Sequence, residues 1–251
     1  TRASVAHPLS ESKLKDKTLV YRVVERILVE YERMIFVIFP QKQSFYGCIY
    51  SFFWYGLFED YNEKEGTMLI QFIVENFLSC KDETVFNIIA TKDKKHPDHI
   101  NRNNKLNPKA NILKIAAIYG ANASGKSNLI NSIEFARDFI IYGTRGDETI
   151  PTAPFRLNSE TMRNPSKFQF IFHYDNQIYD YGFVVDKHKI FEEWLFVKQN
   201  RYYKKMFERI TTKSGKNKYE FGPSFVKKSS KNKHMRYGYE MEGTRINQLF
   251  L

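Results

Sequence analysis

Residues Gly120-Ala121-Asn122-Ala123-Ser124-Gly125-Lys126-Ser127 set two glycines, a lysine and a hydroxyl at the spacing GxxxxGK[ST]. The spacing has a physical cause. Glycines let the backbone wrap until successive N–H groups point inward, and the start of a helix adds the positive end of its dipole, so the loop favours an anion. Lys126 is then placed to reach the β- and γ-phosphates of a nucleoside triphosphate, and the Ser127 hydroxyl to ligate Mg²⁺. Gly120, Ala121, Asn122, Ala123, Ser124, Gly125, Lys126, Ser127 and Asn128 are therefore the candidate nucleotide-binding residues, ATP and Mg²⁺ the expected cofactors, and Ser127 the candidate metal ligand. Chance produces such a match in roughly one chain in a hundred of this length.

Hydrolysis needs more than this loop: an acidic residue at the end of an apolar strand to hold Mg²⁺, and a group that orients water. Phe183-Val184-Val185-Asp186 offers such an acid, but Lys187 follows it and the segment reads as one arm of a hairpin. The catalytic residues are unknown at this stage. His96 and His99 read as solvated residues of a polar loop. Glu192 and Glu193 are adjacent on a strand, so they point to opposite faces and cannot act on one bond. Phe191 and Trp194 read as core.

The elements that position the loop follow from periodicity. Ile112 to Tyr119, ILKIAAIY, is an apolar run expected to be a buried strand entering the loop. A helix is expected from about Lys126 to Tyr142, with Leu129, Ile133, Ala136 and Ile140 on one face. Upstream, MLIQFIVENFLS from Met68 alternates as a strand and TVFNII reads as its partner; Thr91 to Lys109 is a polar loop. Downstream, FQFIFHY and IYDYGFVV flank Asp175-Asn176-Gln177, and KIFEEWLFV follows a second turn at 186–188, which predicts antiparallel strands. Leu14 to Met34 reads as a helix, and an aromatic tract, FYGCIYSFFWYGLF, follows it.

Composition narrows the class. The 251 residues are 42% hydrophobic and 27% charged, as in globular proteins, and Cys48 and Cys80 are too few for a disulfide framework. No classical signal peptide opens the chain, and the uncharged run Ser44 to Phe58 is shorter than the roughly 20 residues that span a bilayer, so no membrane role is expected and a cytoplasmic protein is. The net charge of +11 is local. Arg201 to Arg236 hold 12 basic residues against Glu208 and Glu220. Interleaved with aromatics, they read either as a nucleic-acid surface or as a hydrophilic hairpin with a solvated loop.

From Met68 onward the chain resembles AAA-type ATP-binding proteins of the ABC/RecF-like class found in bacterial abortive-infection (AbiL-like) anti-phage systems. The resemblance is carried by MLIQFIVENFLSCKDE, ILKIAAIYGANASGKSNLINSI, PFRLN, PSKFQFIF, YDYGF and EEWLF. It implies an α/β fold: a P-loop NTPase lobe of ABC/RecF/SMC-head type with a mixed sheet and an antiparallel strand-rich insertion. In such proteins a second lobe supplies the signature motif, the acidic strand end and a switch histidine, and ATP joins two heads. The resemblance thus implies ATP hydrolysis by the whole protein, an ATP-dependent head-to-head homodimer, and a nuclease or toxin partner. The alternative is a RecF-like DNA-repair or DNA-sensing clamp; a small-molecule kinase is disfavoured because no lid with paired arginines is evident. Two departures stand out. Leu78 occupies the place after ENF where the family often has an arginine near the nucleotide, and the second lobe's motifs are not found by Leu251.

Residues 68–251 are therefore expected to form the N-terminal lobe of such an ATPase, binding ATP without turnover. Residues 1–67 fall outside the resemblance. Lys64-Glu65-Gly66-Thr67 can be encoded by a ribosome-binding sequence, so Met68 is a candidate natural start and residues 1–67 candidate translated upstream sequence.

Overall fold

The computed structural model describes residues 36–40, 68–91, 95–101, 111–113, 116–174, 177–199, 201–223 and 241–250. The expected helix Leu14–Met34, the aromatic tract, and Lys227, Lys228, Lys231, Lys233 and Arg236 lie outside them.

Seven strands form one antiparallel sheet. In chain order they are β2 (Met68–Glu75), β3 (Thr84–Asn87), β7 (Ser166–Tyr174), β8 (Gln177–Val185), β9 (Ile190–Gln199), β10 (Tyr202–Thr211) and β11 (Asn217–Phe221). Their spatial order is β11-β10-β9-β8-β7-β2-β3, with every neighbouring pair antiparallel. Four consecutive hairpins account for the run from β7 to β11, because short turns join antiparallel strands without a crossover. Alternation sets the inner face. Phe168, Phe170 and Phe172 of β7, Tyr179, Tyr181 and Phe183 of β8, and Leu195 and Val197 of β9 are all buried on one side.

The helix α1 (Lys126–Tyr142) lies against that face. Its Ile133, Ala136, Phe139 and Ile140 are buried, at the spacing of one helical stripe. Phe135 meets Phe77 and Phe168 at ring-centroid distances of 4.9 and 5.1 Å, and Phe139 meets Phe183 at 5.4 Å. Gly143 ends the helix at φ 65°, a left-handed backbone that glycine adopts without a Cβ penalty.

The apolar run at 112–119 divides between two sheets instead of forming one strand. β5 (Ile112–Leu113) pairs antiparallel with β4 (Ile100–Asn101), and its Ile112 is buried in the core. β6 (Ala116–Gly120) pairs in parallel with β1 (Phe36–Pro40), in register from Phe36 opposite Ala116 to Pro40 opposite Gly120. Among the described residues parallel and antiparallel pairing are thus segregated: the antiparallel strands expected downstream of the loop form in one sheet, and the parallel pair stands apart from them. The polar loop 91–109 contains a turn of 3₁₀ helix, Pro97–His99, before β4.

Candidate functional site

β6 delivers the chain to the GxxxxGK[ST] loop at Gly120, and α1 begins at Lys126. Between them the backbone turns tightly: Ser124 N–H donates to Ala121 O at 3.2 Å, Ala123 sits at φ 63° and Gly125 at φ 92°. The loop has no spare volume at its glycines. A Cβ on Gly120 would lie 2.7 Å from Ser124 Oγ, and one on Gly125 would lie 2.8 Å from Ser79 Oγ. The first-turn N–H groups of α1 have no intrahelical acceptor, and no acidic residue lies in that turn to neutralise the dipole. The Lys126 ammonium donates to the carbonyls of Gly120 at 2.9 Å and Ala121 at 2.6 Å, which holds it over the mouth of the loop. Ala121 to Ser124 and Ser127 are exposed; Asn128 is half-buried. The unpaired N–H groups of the first helical turn, the Lys126 cation and the exposed Ser127 lie along one short stretch of chain, a donor set that suits a phosphate chain with a divalent ion.

A second element abuts the loop. The β2–β3 turn carries Asn76, Phe77, Leu78, Ser79 and Cys80, closed by Phe77 N–H to Cys80 O at 3.0 Å and Cys80 N–H to Phe77 O at 2.9 Å. Asn76 is buried, and its amide nitrogen donates to the carbonyls of Thr161, Asn164 and Pro165 at 2.8, 2.9 and 3.2 Å. Its amide oxygen accepts from Phe155 N–H at 3.1 Å, and its own carbonyl accepts from Ser166 Oγ at 2.6 Å. The chain from Phe155 of PFRLN to Pro165 is therefore held to one side chain. Leu78 packs against the hydrophobic core and its N–H donates to Ala153 O at 2.7 Å. Sequence reasoning missed Asn76, because its side-chain partners lie 79 to 89 residues away.

The remaining candidates scatter. Asp186 lies in the β8–β9 turn, where Oδ1 accepts from the N–H groups of His188 and Lys189 at 2.7 and 2.8 Å. That turn is tied to the chain beyond the C-terminal end of α1 through Ile150 N–H and Lys187 O at 2.9 Å. A 17-residue helix is about 25 Å long, so Asp186 and Lys126 stand at opposite ends of α1. His96 and His99 stack at 5.3 Å, and both are exposed. Among the described residues no group of three His, Cys, Asp or Glu could hold a metal ion.

Glu192 is exposed and Glu193 fully buried, on opposite faces of β9 as the strand period requires. Glu193 Oε2 lies 3.5 Å from Arg209 Nη1 and accepts from Phe250 N–H at 2.7 Å, while Tyr181 OH donates to Oε1 at 3.2 Å. Phe191 and Trp194 are half-buried, which corrects their reading as core. The Trp194 indole lies across Gly182, where a Cβ would come within 2.2 Å of the ring, and its Nε1 donates to Asp180 at 3.0 Å. Burial pushes the Asp180 carboxyl above its usual range, against the hydrogen bonds from Trp194 and Gln169. Burial likewise raises the Cys80 thiol, the opposite of a reactive thiolate.

The basic segment is partly spent inside the fold. Arg209 is buried with Glu193, and Lys205 forks to Glu208 and Glu220. Arg201 in the β9–β10 turn and Lys204, Lys213, Lys216 and Lys218 of the β10–β11 hairpin remain exposed. Among the described residues no helix is long and apolar enough to cross a membrane.

No curated protein and no solved structure gives a significant match. Residues 115–228 match the family model described as "AAA domain, putative AbiEii toxin, Type IV TA system". The matched stretch contains the whole GxxxxGK[ST] loop, α1 and the sheet from β7 to β11. The match supports an AAA-type P-loop ATPase domain, with the ATP binding that such a domain implies, in this part of the chain.

Proposed function

We propose that the chain binds ATP with Mg²⁺ through Gly120 to Asn128 and that the whole protein hydrolyses it as an ABC/RecF-like ATPase. The carrying observation is the loop itself: Lys126 held over a glycine-lined turn at the acid-free start of a long helix. Backbone N–H groups of the loop hold the phosphates, Lys126 neutralises their charge, and Ser127 Oγ ligates the ion. Bound ATP supplies a high-energy phosphoanhydride; the residues described here bind and orient it. Asp186, the one acid at an apolar strand end, is tied up in the β8–β9 turn at the far end of α1, so residues 1–251 bind ATP without turnover on this reading. We place the protein in the cytoplasm, with two heads joined by ATP and an abortive-infection role in which this cycle controls a nuclease or toxin partner.

Ligand linkage gives the test. A ligand that binds only the folded state adds about 2.7 kcal/mol at a hundredfold excess over Kd. Mg-ATP should raise the Tm of the wild-type chain by several degrees and leave that of Lys126→Ala unchanged. An equal rise in both would refute the assignment.

One observation favours a second reading, a DNA-sensing clamp. Tyr202 and Tyr203 are 77% and 44% exposed beside Lys204, and Lys198 lies 5.8 Å from the Tyr203 ring centroid. Exposed rings among cations suit the stacking of unpaired bases.

A further inference from the structure

The end of α1 remote from the GxxxxGK[ST] loop opens into a cleft of about 410 Å³. Three segments wall it: the turn Gly146–Thr149 after α1, the β8–β9 turn at Lys187 and His188, and residues 245–247. Main-chain bonds lock these segments together. Ile150 N–H donates to Lys187 O at 2.9 Å, and Ile190 N–H to Ile246 O at 2.8 Å. Asn247 is buried, and its amide nitrogen donates to the carbonyls of Arg145 and Glu148 at 3.1 and 3.2 Å. The walls therefore stand without help from most of the charged side chains that line them.

Those side chains supply more cation than the fold uses. Arg245 Nη2 donates to Thr144 O at 3.0 Å. The guanidinium lies close over Gly146, where a Cβ would come within 2.6 Å of Nη1, so the glycine gives it a seat. Among the described residues its Nε and Nη1, the Lys187 ammonium and the His188 ring engage no other group, and all three residues are exposed. The neighbouring acids do little to neutralise them. Asp186 Oδ1 is occupied by the N–H groups of His188 and Lys189, and Glu148 stands 3.9 Å from Arg145. That leaves Asp147 as the one lining carboxylate without a cation of its own among the described residues. A ligand carboxylate would satisfy the fork of one guanidinium and leave the other two groups idle. A phosphate monoester offers three oxygens to three sets of N–H donors, and a planar fork beside a compact ammonium is the pairing that suits it.

We propose that this cleft is an anion site distinct from the nucleotide loop, taking the phosphate monoester of a small ligand. The free edge of Arg245 holds two phosphate oxygens, Lys187 the third, and the His188 ring donates a further N–H. About 25 Å of helix separates the cleft from Lys126, so the site does not depend on the nucleotide-binding reading.

The test uses the whole 251-residue chain carrying Lys126→Ala, which silences the loop. Glycerol 1-phosphate is titrated at constant ionic strength and followed by the ¹⁵N-amide shifts, with glycerol and sodium acetate as control ligands. Saturating shifts should gather at residues 146–149, 187–188 and 245–247, with a Kd on the order of 1 mM, the strength of a few exposed charge-assisted contacts. A site of that strength stays empty at the micromolar ligand concentrations that report on the loop. Replacing Lys187 and His188 together by glutamine should weaken binding roughly tenfold while the Tm stays unchanged. Gly146→Ala, which pushes the guanidinium off its seat, should weaken it as well. Asp147→Asn should tighten binding by roughly twofold, because a like charge leaves the cleft. Unsaturating shifts spread over the exposed lysines, acetate binding as tightly as the phosphate, or equal affinity in the glutamine double variant would each overturn the inference.

Discussion

At the scale of single residues, Glu193 sets the interior electrostatics of the sheet. It lies between Arg209 and Tyr181 and accepts the backbone N–H of Phe250, so one carboxylate fastens the segment at 241–250 to β9. Arg209 does the same from the other side, donating to the carbonyls of Arg245 and Gln248. Removing one partner of a buried pair strands the other's charge, which typically costs about 3–5 kcal/mol. Tyr181 gives a readable pH signature. Burial, then the Glu193 charge, push its phenol well above the usual 10.0. A group whose folded pKa is raised contributes stability that is fully present below its unfolded value and is lost as pH rises through the folded one. The urea midpoint of the wild type should therefore fall as pH climbs past about 10. Tyr181→Phe should be destabilised near neutrality by roughly 1–2 kcal/mol and lose part of that alkaline slope. Identical slopes in the two proteins would contradict this account.

Elements were visible in the sequence where a period was strict. The stripe Ile133, Ala136, Ile140 gave α1 its limits of Lys126 and Tyr142, and alternation gave β7, β8 and β9 their register partners around short turns. The glycine–lysine spacing located the loop before any fold was known. The rest has no local signature. Asn76 acts through carbonyls more than 80 residues away, and Arg209 reveals its role only once it is registered opposite Glu193. The division of 112–119 between two sheets reflects competition for partners: Ile112 is claimed by the core beside Ile88 and Ile89, while Ala116–Gly120 pairs with Phe36–Pro40. Trp194 reads as core in the sequence, but the missing Cβ of Gly182 gives the indole a flat seat on the outer face.

For the whole molecule, charge and nucleotide are the two quantities to be measured. The net charge of +11 is concentrated in Arg201 to Arg236, where the fold buries Arg209 against Glu193 and pairs Lys205 with Glu208 and Glu220 nearer the surface. If the rest meets nucleic acid, affinity should fall steeply with salt, by a slope of about 0.9 per neutralised phosphate on duplex DNA. Replacing Lys227, Lys228, Lys231 and Lys233 by glutamine should flatten that slope; equal low-salt affinity in both proteins would leave a solvated hairpin. The nucleotide site is the central claim, and calorimetric titration of the wild-type chain with Mg-ATP, Mg-ADP and AMP tests it most directly. ATP and ADP should bind, because each places a β-phosphate at Gly125 and Lys126, while AMP should not. Lys126→Ala should abolish both signals and Asp186→Asn, at the far end of α1, should change neither. Binding that survives Lys126→Ala, or that AMP shares at equal strength, would contradict the account.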